Sequence, residues 1–510
     1  MREEALREVS RELLEALFLE RAEMDEDFAW WLDARLVATQ PREAGARLDP
    51  ASFRRRTEAL LSGAGSARRR RHWEGWGSEV DEAALAGLIN AAVPFLAAGR
   101  GEEALVILKA VAEPLVDYWP EVAEWDETLH TLFPQLDGLF AQAVLMKDVS
   151  AEVRGELLDE LSSWHDQLDR YGMDDAFAIA MAACAGGWEA PGLMEVLAGR
   201  RDTWPPEEPE ASAEEDLLPV RLAVLDATGQ TDAYLHLARA SGMHGAEAVK
   251  LVQVGRIEEA IMLARTQLSA PGQVQSVAEA LAAAGQGEAA FDLATWGLSL
   301  QTGEREEMWW HRSRKMELAR WLREAARQAD RDELMLRAAE AAFEESLDQE
   351  DFHRARELAG ASAWPELRER LLAALLAAPP APSRIAILLD EGRIDDAVAS
   401  VDPREAGFLR RPDGVLQRLA EEAYADHPDW AITLAFAVAD PIMQEARSSH
   451  YEEAAGWLAI AGRAYAASGR SGEWQARLDE LIKTHRRKYR LRPLLEALRL
   501  PVERGRFAGG

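Results

Sequence analysis

The sequence predicts an all-α fold, a degenerate TPR-like helical-repeat solenoid of antiparallel helix pairs. Apolar residues recur at helical spacing along most of the chain, and the apolar–polar alternation typical of strands is almost absent. A turn formula also recurs, in which a glycine is followed by two residues, one or two acidic residues and an alanine. Because these turns are unevenly spaced, the array is degenerate. They begin at Gly99, Gly229, Gly255, Gly285 and Gly392.

Each position of this formula has a physical role. Glycine adopts the left-handed conformation that ends a helix, carboxylates favour the positive start of the next helix, and alanine lets helices approach closely. A variant at Gly469 joins the two clearest helices, where Ser449 and Glu452 have the spacing of a capping box. Two apolar stripes are predicted to face each other there: Tyr451, Ala454, Ala455, Leu458, Ala461 and Tyr465 on one helix, and Trp474, Leu478, Leu481 and His485 on the next.

The chain is predicted to contain five segments. Residues 1–80 form an N-terminal helical segment with a basic Arg-rich loop, and residues 81–200 form a helical-repeat domain. Residues 201–219 contain four prolines and a cluster of carboxylates, a composition that disfavours helix and favours an acidic linker or loop. Residues 220–500 form the C-terminal helical-repeat solenoid, and residues 501–510 are a tail.

Length and charge limit the kind of protein. A chain of 510 residues exceeds one typical core, and its 48% hydrophobic content is ample for burial. The formal charge of −32 opposes non-specific binding to nucleic acid or anionic membrane. No run approaches the roughly 18 apolar residues of a membrane span. The single cysteine, Cys184, excludes an internal disulfide, so we expect a cytoplasmic protein in which Cys184 is a packed, unreactive residue.

Two basic stretches are candidate interaction sites. The first contains Arg54, Arg55 and Arg56, followed by Arg68, Arg69, Arg70 and Arg71 and by two aromatic rings, Trp73 and Trp76. Basic residues interleaved with aromatics can bind nucleic acid, but they can also pair with acidic helices of the same protein, which the excess of negative charge favours. The second stretch contains Arg486, Arg487 and Lys488 near the C-terminus. There the cations either cap a helix and pair with acidic repeats or meet an acidic partner surface.

Tryptophan is the other unusual residue, with 17 copies in the chain. In the doublet Trp309 and Trp310, one ring can enter a core while its neighbour points about 100° away around the helix. Packing between helix layers is the favoured interpretation, because large side chains fill the gaps between repeats. If exposed, these rings are candidate anchors of an interface.

The sequence contains none of the common catalytic motifs. It lacks the metalloprotease motif, the phosphate-binding loop, the dinucleotide fingerprint and the nucleophile elbow, so we expect no enzyme and no cofactor. Histidines stand singly and are interpreted as packed or solvated residues. A metal site formed by His450, His485 and Glu453 is a minor alternative.

The closing helices and one earlier turn carry a family resemblance. Its residues are His450 to Ala455, Trp457, Leu458, Tyr465, Gly469, Glu473, Trp474, Leu478, Leu481 and His485 to Tyr489, and also Gly99 to Leu105. On these residues the chain resembles bacterial SWIM zinc finger family proteins. The cysteine and histidine ligands of that family's finger are missing, so its zinc and DNA binding do not carry over. The resemblance implies a bacterial cytoplasmic protein that works in an assembly, with a MoxR-type AAA+ ATPase and von Willebrand factor A proteins as partners.

Taken together, these patterns predict a non-enzymatic scaffold for protein–protein interaction. Stacked helix pairs would form a concave, acidic face onto which a basic or amphipathic segment of a partner docks. The alternative is a nucleic-acid-binding accessory protein that uses the basic segment from Arg54 to Arg71. A third hypothesis, an enzyme with an unfamiliar site, requires a deep polar pocket with converging titratable groups.

Overall fold

The structure, a computed structural model, is helical throughout its described parts. Within them there are α-helices, short 3₁₀ turns and no strand. The all-α prediction is confirmed for these residues. None of the described helices has the length and apolar character needed to cross a membrane. The described residues are 11–24, 28, 32, 35–36, 49–62, 81–122, 129–204, 211–300, 309–378, 382–404, 414–444 and 448–499.

The chain divides into two compact units, Met1–Gln267 and Leu268–Gly510. A 3₁₀ turn precedes helix α6 of the first unit. The helices of this unit are α1 Arg11–Met24, α2 Pro50–Leu61, α3 Glu82–Asn90, α4 Val93–Ala97, α5 Gly101–Val122, α6 Leu132–Val144, α7 Ala151–Asp169, α8 Ala178–Gly186, α9 Leu193–Leu197, α10 Ala211–Ala227, α11 Thr231–Ala240, α12 His244–Gln253 and α13 Ile257–Gln267.

The core of the first unit forms around α5, α6 and α8. Its aromatic residues meet edge-on, an arrangement that aromatic quadrupoles favour. Phe133 lies 5.4 Å from Trp119 and 6.1 Å from Phe177, and Phe140 lies 5.8 Å from Phe177, measured between ring centroids. These rings are almost fully buried and join three helices.

The second unit packs in sequence order. Its principal contacts join helices that are adjacent or next-but-one along the chain. Such local packing is the requirement of a helical repeat array. Helix α18 kinks at Gly360, which has a left-handed backbone. The helices of this unit are α14 Pro271–Ala283, α15 Gly287–Leu298, α16 Trp309–Gln328, α17 Asp332–Ser346, α18 Gln349–Ala377, α19 Pro382–Asp390, α20 Ile394–Ala399, α21 Val415–Ala423, α22 Pro428–Gln444, α23 Tyr451–Ala467, α24 Ser471–Thr484 and α25 Leu491–Ala497.

The glycine turns are confirmed. All six glycines named in the sequence analysis have φ between 68° and 82°. In each turn the residue after the glycine donates its N–H to the carbonyl five residues earlier, at 2.7 to 2.9 Å. Arg393, for example, donates to Leu388 at 2.7 Å. This bond satisfies a carbonyl at the end of one helix, and the next helix begins two residues after the glycine.

The turns contain an ion pair that sequence reasoning missed. In four of them the residue after glycine is an arginine, and in three of these its guanidinium binds the carboxylate three residues later. The alanine that follows each of these three carboxylates is fully buried. The fourth arginine, Arg470, binds Asp429 instead, at 2.7 Å. A regular Arg-x-x-acid spacing was visible in the sequence and could have revealed the pairs, because residues three apart are neighbours on a helix. They are Arg100–Glu103 at 2.9 Å, Arg256–Glu259 at 2.5 Å and Arg393–Asp396 at 2.5 Å.

Two local predictions were wrong. Helix α10 begins at Ala211 and continues through Pro219, although residues 201–219 were expected to be linker or loop. Burial explains the difference, because Leu217, Leu218 and Leu222 enter the core and offset the cost of a proline in a helix, about 3 kcal/mol. The expected capping box is also absent: Ser449 lies in the 3₁₀ turn Ser448–His450, and α23 has no side-chain cap.

A buried carboxylate connects α6 to α8. Asp137 accepts hydrogen bonds from the backbone N–H groups of Ala180 at 2.7 Å and Ile179 at 3.1 Å, in the first turn of α8. It therefore supplies that helix start with acceptors from another helix. Burial raises the pKa of Asp137 to about 6, and the two N–H bonds only partly oppose this shift.

The left-handed turn can be tested with two glycines that differ in backbone conformation alone. A Cβ at Gly392 or at Gly456 would meet nothing within 4 Å, but Gly392 has φ of 68° and Gly456 is helical. We expect Gly392→Ala to lower the free energy of unfolding by about 1–2 kcal/mol. The matched control Gly456→Ala should raise it by about 0.5–1 kcal/mol. Urea denaturation measures both; equal effects would contradict this role of Gly392.

The raised pKa of Asp137 predicts a pH-dependent stability. The unfolded carboxyl loses its proton near pH 4 and the folded one near pH 6, so the folded state binds more protons in this window. The contribution of Asp137 to stability is therefore largest below pH 4 and falls by as much as about 2–3 kcal/mol up to pH 6. Asp137→Asn should remove this component. Urea unfolding of both proteins from pH 4 to 7 measures it, and parallel pH curves would be the contrary result.

Candidate interaction sites

Two arginines of the first basic stretch, Arg54 and Arg55, pair with carboxylates within the protein. Arg54 binds Glu58 on its own helix α2 at 3.2 Å and Glu113 on α5 at 2.7 Å. These hydrogen bonds, first to Glu58 and then to Glu113, raise the pKa of Arg54. Arg55 lies 3.6 Å from Asp49, which also caps α2. These two arginines thus contact the protein's own carboxylates, one of the two alternatives left open by the sequence.

Other predicted site residues lie outside the described part. The run Arg68 to Arg71 and the neighbouring Trp73 and Trp76 belong to residues 63–80, which the structure does not describe. Trp309 and Trp310 are the first two residues of α16, but their side chains are not described either. Their proposed roles stay predictions. Arg56 is described and is half-buried.

The second basic stretch forms two consecutive tight turns between α24 and α25. In the first turn the N–H of Lys488 donates to the carbonyl of His485 at 2.9 Å, which puts Arg486 and Arg487 at the central positions. In the second turn the N–H of Leu491 donates to the carbonyl of Lys488 at 3.1 Å. Its central positions are residues 489 and 490. We call the segment 485–491 the basic turn.

Lys488 anchors the basic turn. Its ammonium group donates to the carbonyl oxygens of Met443 and, at 3.3 Å, Gln444, the last two residues of α22. It also lies 5.6 Å from the centre of the Tyr451 ring. A cation at a helix C-terminus and over an aromatic face is stabilised by both. Lys488 is therefore a structural residue rather than one of the interaction candidates. Its contacts agree with the helix-capping role that was one alternative from the sequence.

The outward side of the basic turn has the opposite character. Arg486 and Arg487 are exposed, and neither side chain forms a hydrogen bond or ion pair with another described residue. Tyr489 is 88% exposed, the largest value among the exposed large hydrophobic residues described. Its signal in the sequence was its position inside a run of cations. His485, the first residue of the basic turn, is half-buried. Burial, and then the charge of Lys488, hold its pKa below the ordinary value.

The described residues give little support to the alternative sites. His450 lies 3.4 Å from Glu453, but nowhere in the described ranges do three His, Cys, Asp or Glu side chains converge as metal ligands would. Cys184 is half-buried, and burial raises its pKa to about 11, so the thiol is protonated at neutral pH. This fits the packed, unreactive cysteine that the sequence predicted.

Lys488→Met tests the anchor. Loss of the charged hydrogen bonds should lower the free energy of unfolding by about 1–2 kcal/mol and speed amide exchange in the basic turn. Lys483→Met is the matched control, because Lys483 is exposed and makes no described contact, and it should change stability by less than about 0.5 kcal/mol. Urea denaturation and hydrogen exchange measure the two effects. Equal exchange rates in both variants would rule out the anchor.

Comparison with known proteins assigns no family to the chain. No protein-family model matches it, and no curated protein matches it. The resemblance to SWIM zinc finger family proteins therefore stays a prediction from the residues of the closing helices, and so do the partners that this resemblance implies.

Proposed function

We propose that the protein is a non-enzymatic, TPR-like helical-repeat scaffold that works in a bacterial cytoplasmic assembly and binds an acidic segment of a partner protein through its basic turn. The observation that carries this proposal is the pair of exposed arginines beside the exposed ring of Tyr489. They stand out in a chain with 90 acidic and 58 basic residues. Elsewhere, as at Arg54 and Arg256, arginines bind the protein's own carboxylates.

The geometry of the turn suits recognition of an acidic peptide. Two tight turns fix the backbone that carries the arginines, and Lys488 bonds this segment to α22. Little backbone conformational entropy is therefore lost on binding. Exposed guanidiniums bind carboxylates side-on through two N–H groups. A tyrosine adds a large, stiff contact surface with few rotatable bonds. Each exposed ion pair contributes only about 0.2–1 kcal/mol, so the tyrosine is needed for useful affinity.

Sequential packing of the second unit supports the scaffold part of the proposal. Helices that contact their sequence neighbours build a long surface from small units, and such surfaces bind partner segments in repeat proteins. The acidic concave face expected from the sequence would take a basic segment, and it belongs to the same proposal. The AAA+ ATPase and von Willebrand factor A partners rest on the family resemblance alone.

Nucleic-acid binding is the second candidate. Arginines next to an exposed aromatic ring can contact phosphates and stack on bases, and the basic turn offers both. The segment from Arg54 to Arg71 gives less support than expected, because Arg54 and Arg55 pair with carboxylates of the same unit. The overall charge of −32 also repels a polyanion beyond the turn.

Binding of a defined acidic probe tests the proposal. A labelled glutamate-rich peptide with one tryptophan should bind the protein, with an affinity that falls as salt rises. The double variant Arg486→Glu with Arg487→Glu should weaken binding at least about tenfold, or 1.4 kcal/mol. The double variant Arg337→Glu with Arg354→Glu changes two exposed arginines of α17 and α18, so it is the charge-matched control and should change the affinity less than about twofold. Fluorescence anisotropy gives the dissociation constants.

The same experiment separates the two candidates. A single-stranded oligothymidine of equal charge is the second probe. Preference for the peptide supports the protein partner, whereas preference for the oligonucleotide would favour the nucleic-acid function. Loss of peptide binding in the control double variant as well would mean that net charge, rather than the basic turn, governs the interaction, and the proposal would fail.

A further inference from the structure

One buried arginine in the second unit has two side-chain nitrogens without a hydrogen-bond partner among the described residues. Arg384 is the third residue of α19 and is 5% exposed. Its Nε and Nη2 atoms are closed off from solvent and have no hydrogen-bond acceptor. Burial lowers the pKa of this guanidinium, and no neighbouring carboxylate opposes the shift. The side chain nevertheless stays charged at neutral pH, because the guanidinium group is a very strong base.

Two other arginines with buried or half-buried side chains have acceptors. Arg221 is fully buried and donates two hydrogen bonds to the carbonyl of Gly187, at 2.8 and 3.3 Å. Arg368, on α18, binds Glu391 and donates to its carbonyl at 3.0 Å. An enclosed charge without an acceptor is costly, and an apolar side chain of similar size would fill the same space without that cost. Arg384 therefore requires an explanation.

The two unsatisfied nitrogens form one edge of the guanidinium. Nε–H and Nη2–H point the same way and bind the two oxygens of one oxyanion side-on. The protein uses this edge elsewhere: Nε and Nη2 of Arg256 both bind the carboxylate of Glu259, at 3.0 and 2.5 Å. At Arg384 the same edge is enclosed and has no acceptor.

The surroundings of Arg384 also favour an anion. The N-terminal turn of a helix carries N–H groups without partners inside the helix and a partial positive charge. Side chains near a helix start lean toward that end, so we expect the guanidinium of Arg384 to lie near the first turn of α19. This turn contains no acidic residue, unlike the starts of α18 and α20. Its own residues therefore supply no counter-charge.

We propose that Arg384 and the first turn of α19 bind an oxyanion, a phosphate or a carboxylate, side-on through Nε and Nη2. The ligand's two oxygens accept the two enclosed N–H bonds and neutralise the charge. Because Arg384 is 5% exposed, the site is closed in this structure, and entry of the ligand requires a small local opening. The site is independent of the basic turn, which contains different cations.

Anion-specific stabilisation tests this site. The melting temperature of the full chain is measured in inorganic phosphate, in acetate and in chloride at constant ionic strength and pH. We expect phosphate or acetate to raise it above the chloride value for the wild type. Arg384→Met should abolish the specific rise, and in chloride it should melt at the same or a higher temperature, because the enclosed charge is gone. Arg384→Lys keeps a charge but loses the side-on edge, and should weaken apparent affinity at least tenfold.

Two controls locate the effect. Arg337→Met, on the surface of α17, and the double change of Arg486 and Arg487 to glutamate should both keep the anion-specific rise. A response to phosphate alone identifies a free phosphate or phosphoryl group as the ligand, and a response to acetate alone identifies a carboxylate. No specific rise in the wild type, or an equal rise in Arg384→Met or Arg384→Lys, would overturn the proposal.

Discussion

The described fold depends on helices that stop and restart within two residues. Each turn needs a glycine with positive φ, because an L-residue there places Cβ against the following carbonyl oxygen. The hydrogen bond across the turn then satisfies a helix carbonyl that a short loop would otherwise leave without a partner. Such tight connections place consecutive helices side by side, and in three of the turns a fully buried alanine after the acidic position lets them pack closely.

Charge is used in two different ways in this protein. Many arginines bind carboxylates three or four residues away or on a neighbouring helix, as Arg320 and Arg323 do with the buried Asp351. These pairs organise helix starts and contacts between helices. Arg384, Arg486 and Arg487 bind no carboxylate among the described residues, although the chain has an excess of carboxylates. In a strongly acidic protein, cations without acceptors are the groups best suited to meet an external anion.

The residues of the candidate site could be predicted from the sequence, but the separate roles of its cations could not. The run from Arg486 to Lys488 is visible as a cluster of cations, and helix capping and partner binding were both open. The fold separates these roles, because Lys488 turns toward the last carbonyls of α22 while Arg486 and Arg487 occupy the tip of a turn. Arg384 carried no sequence signal: a lone arginine at a helix start looks ordinary until its acceptors are counted in three dimensions.

The sequence by itself determined the helical class, the glycine turns and the apolar faces, because helix periodicity and backbone conformation are properties of nearby residues. Burial of Trp474, Leu478 and Leu481 followed directly from their spacing. Tertiary structure decided which cations are paired and that the Asp137 carboxyl is buried away from water. It also decided that α10 continues through Pro219. Those outcomes depend on contacts between residues about 20 to 60 positions apart in the sequence, as in the bond from Arg54 to Glu113. The pattern of neighbouring residues does not show which distant residues will meet.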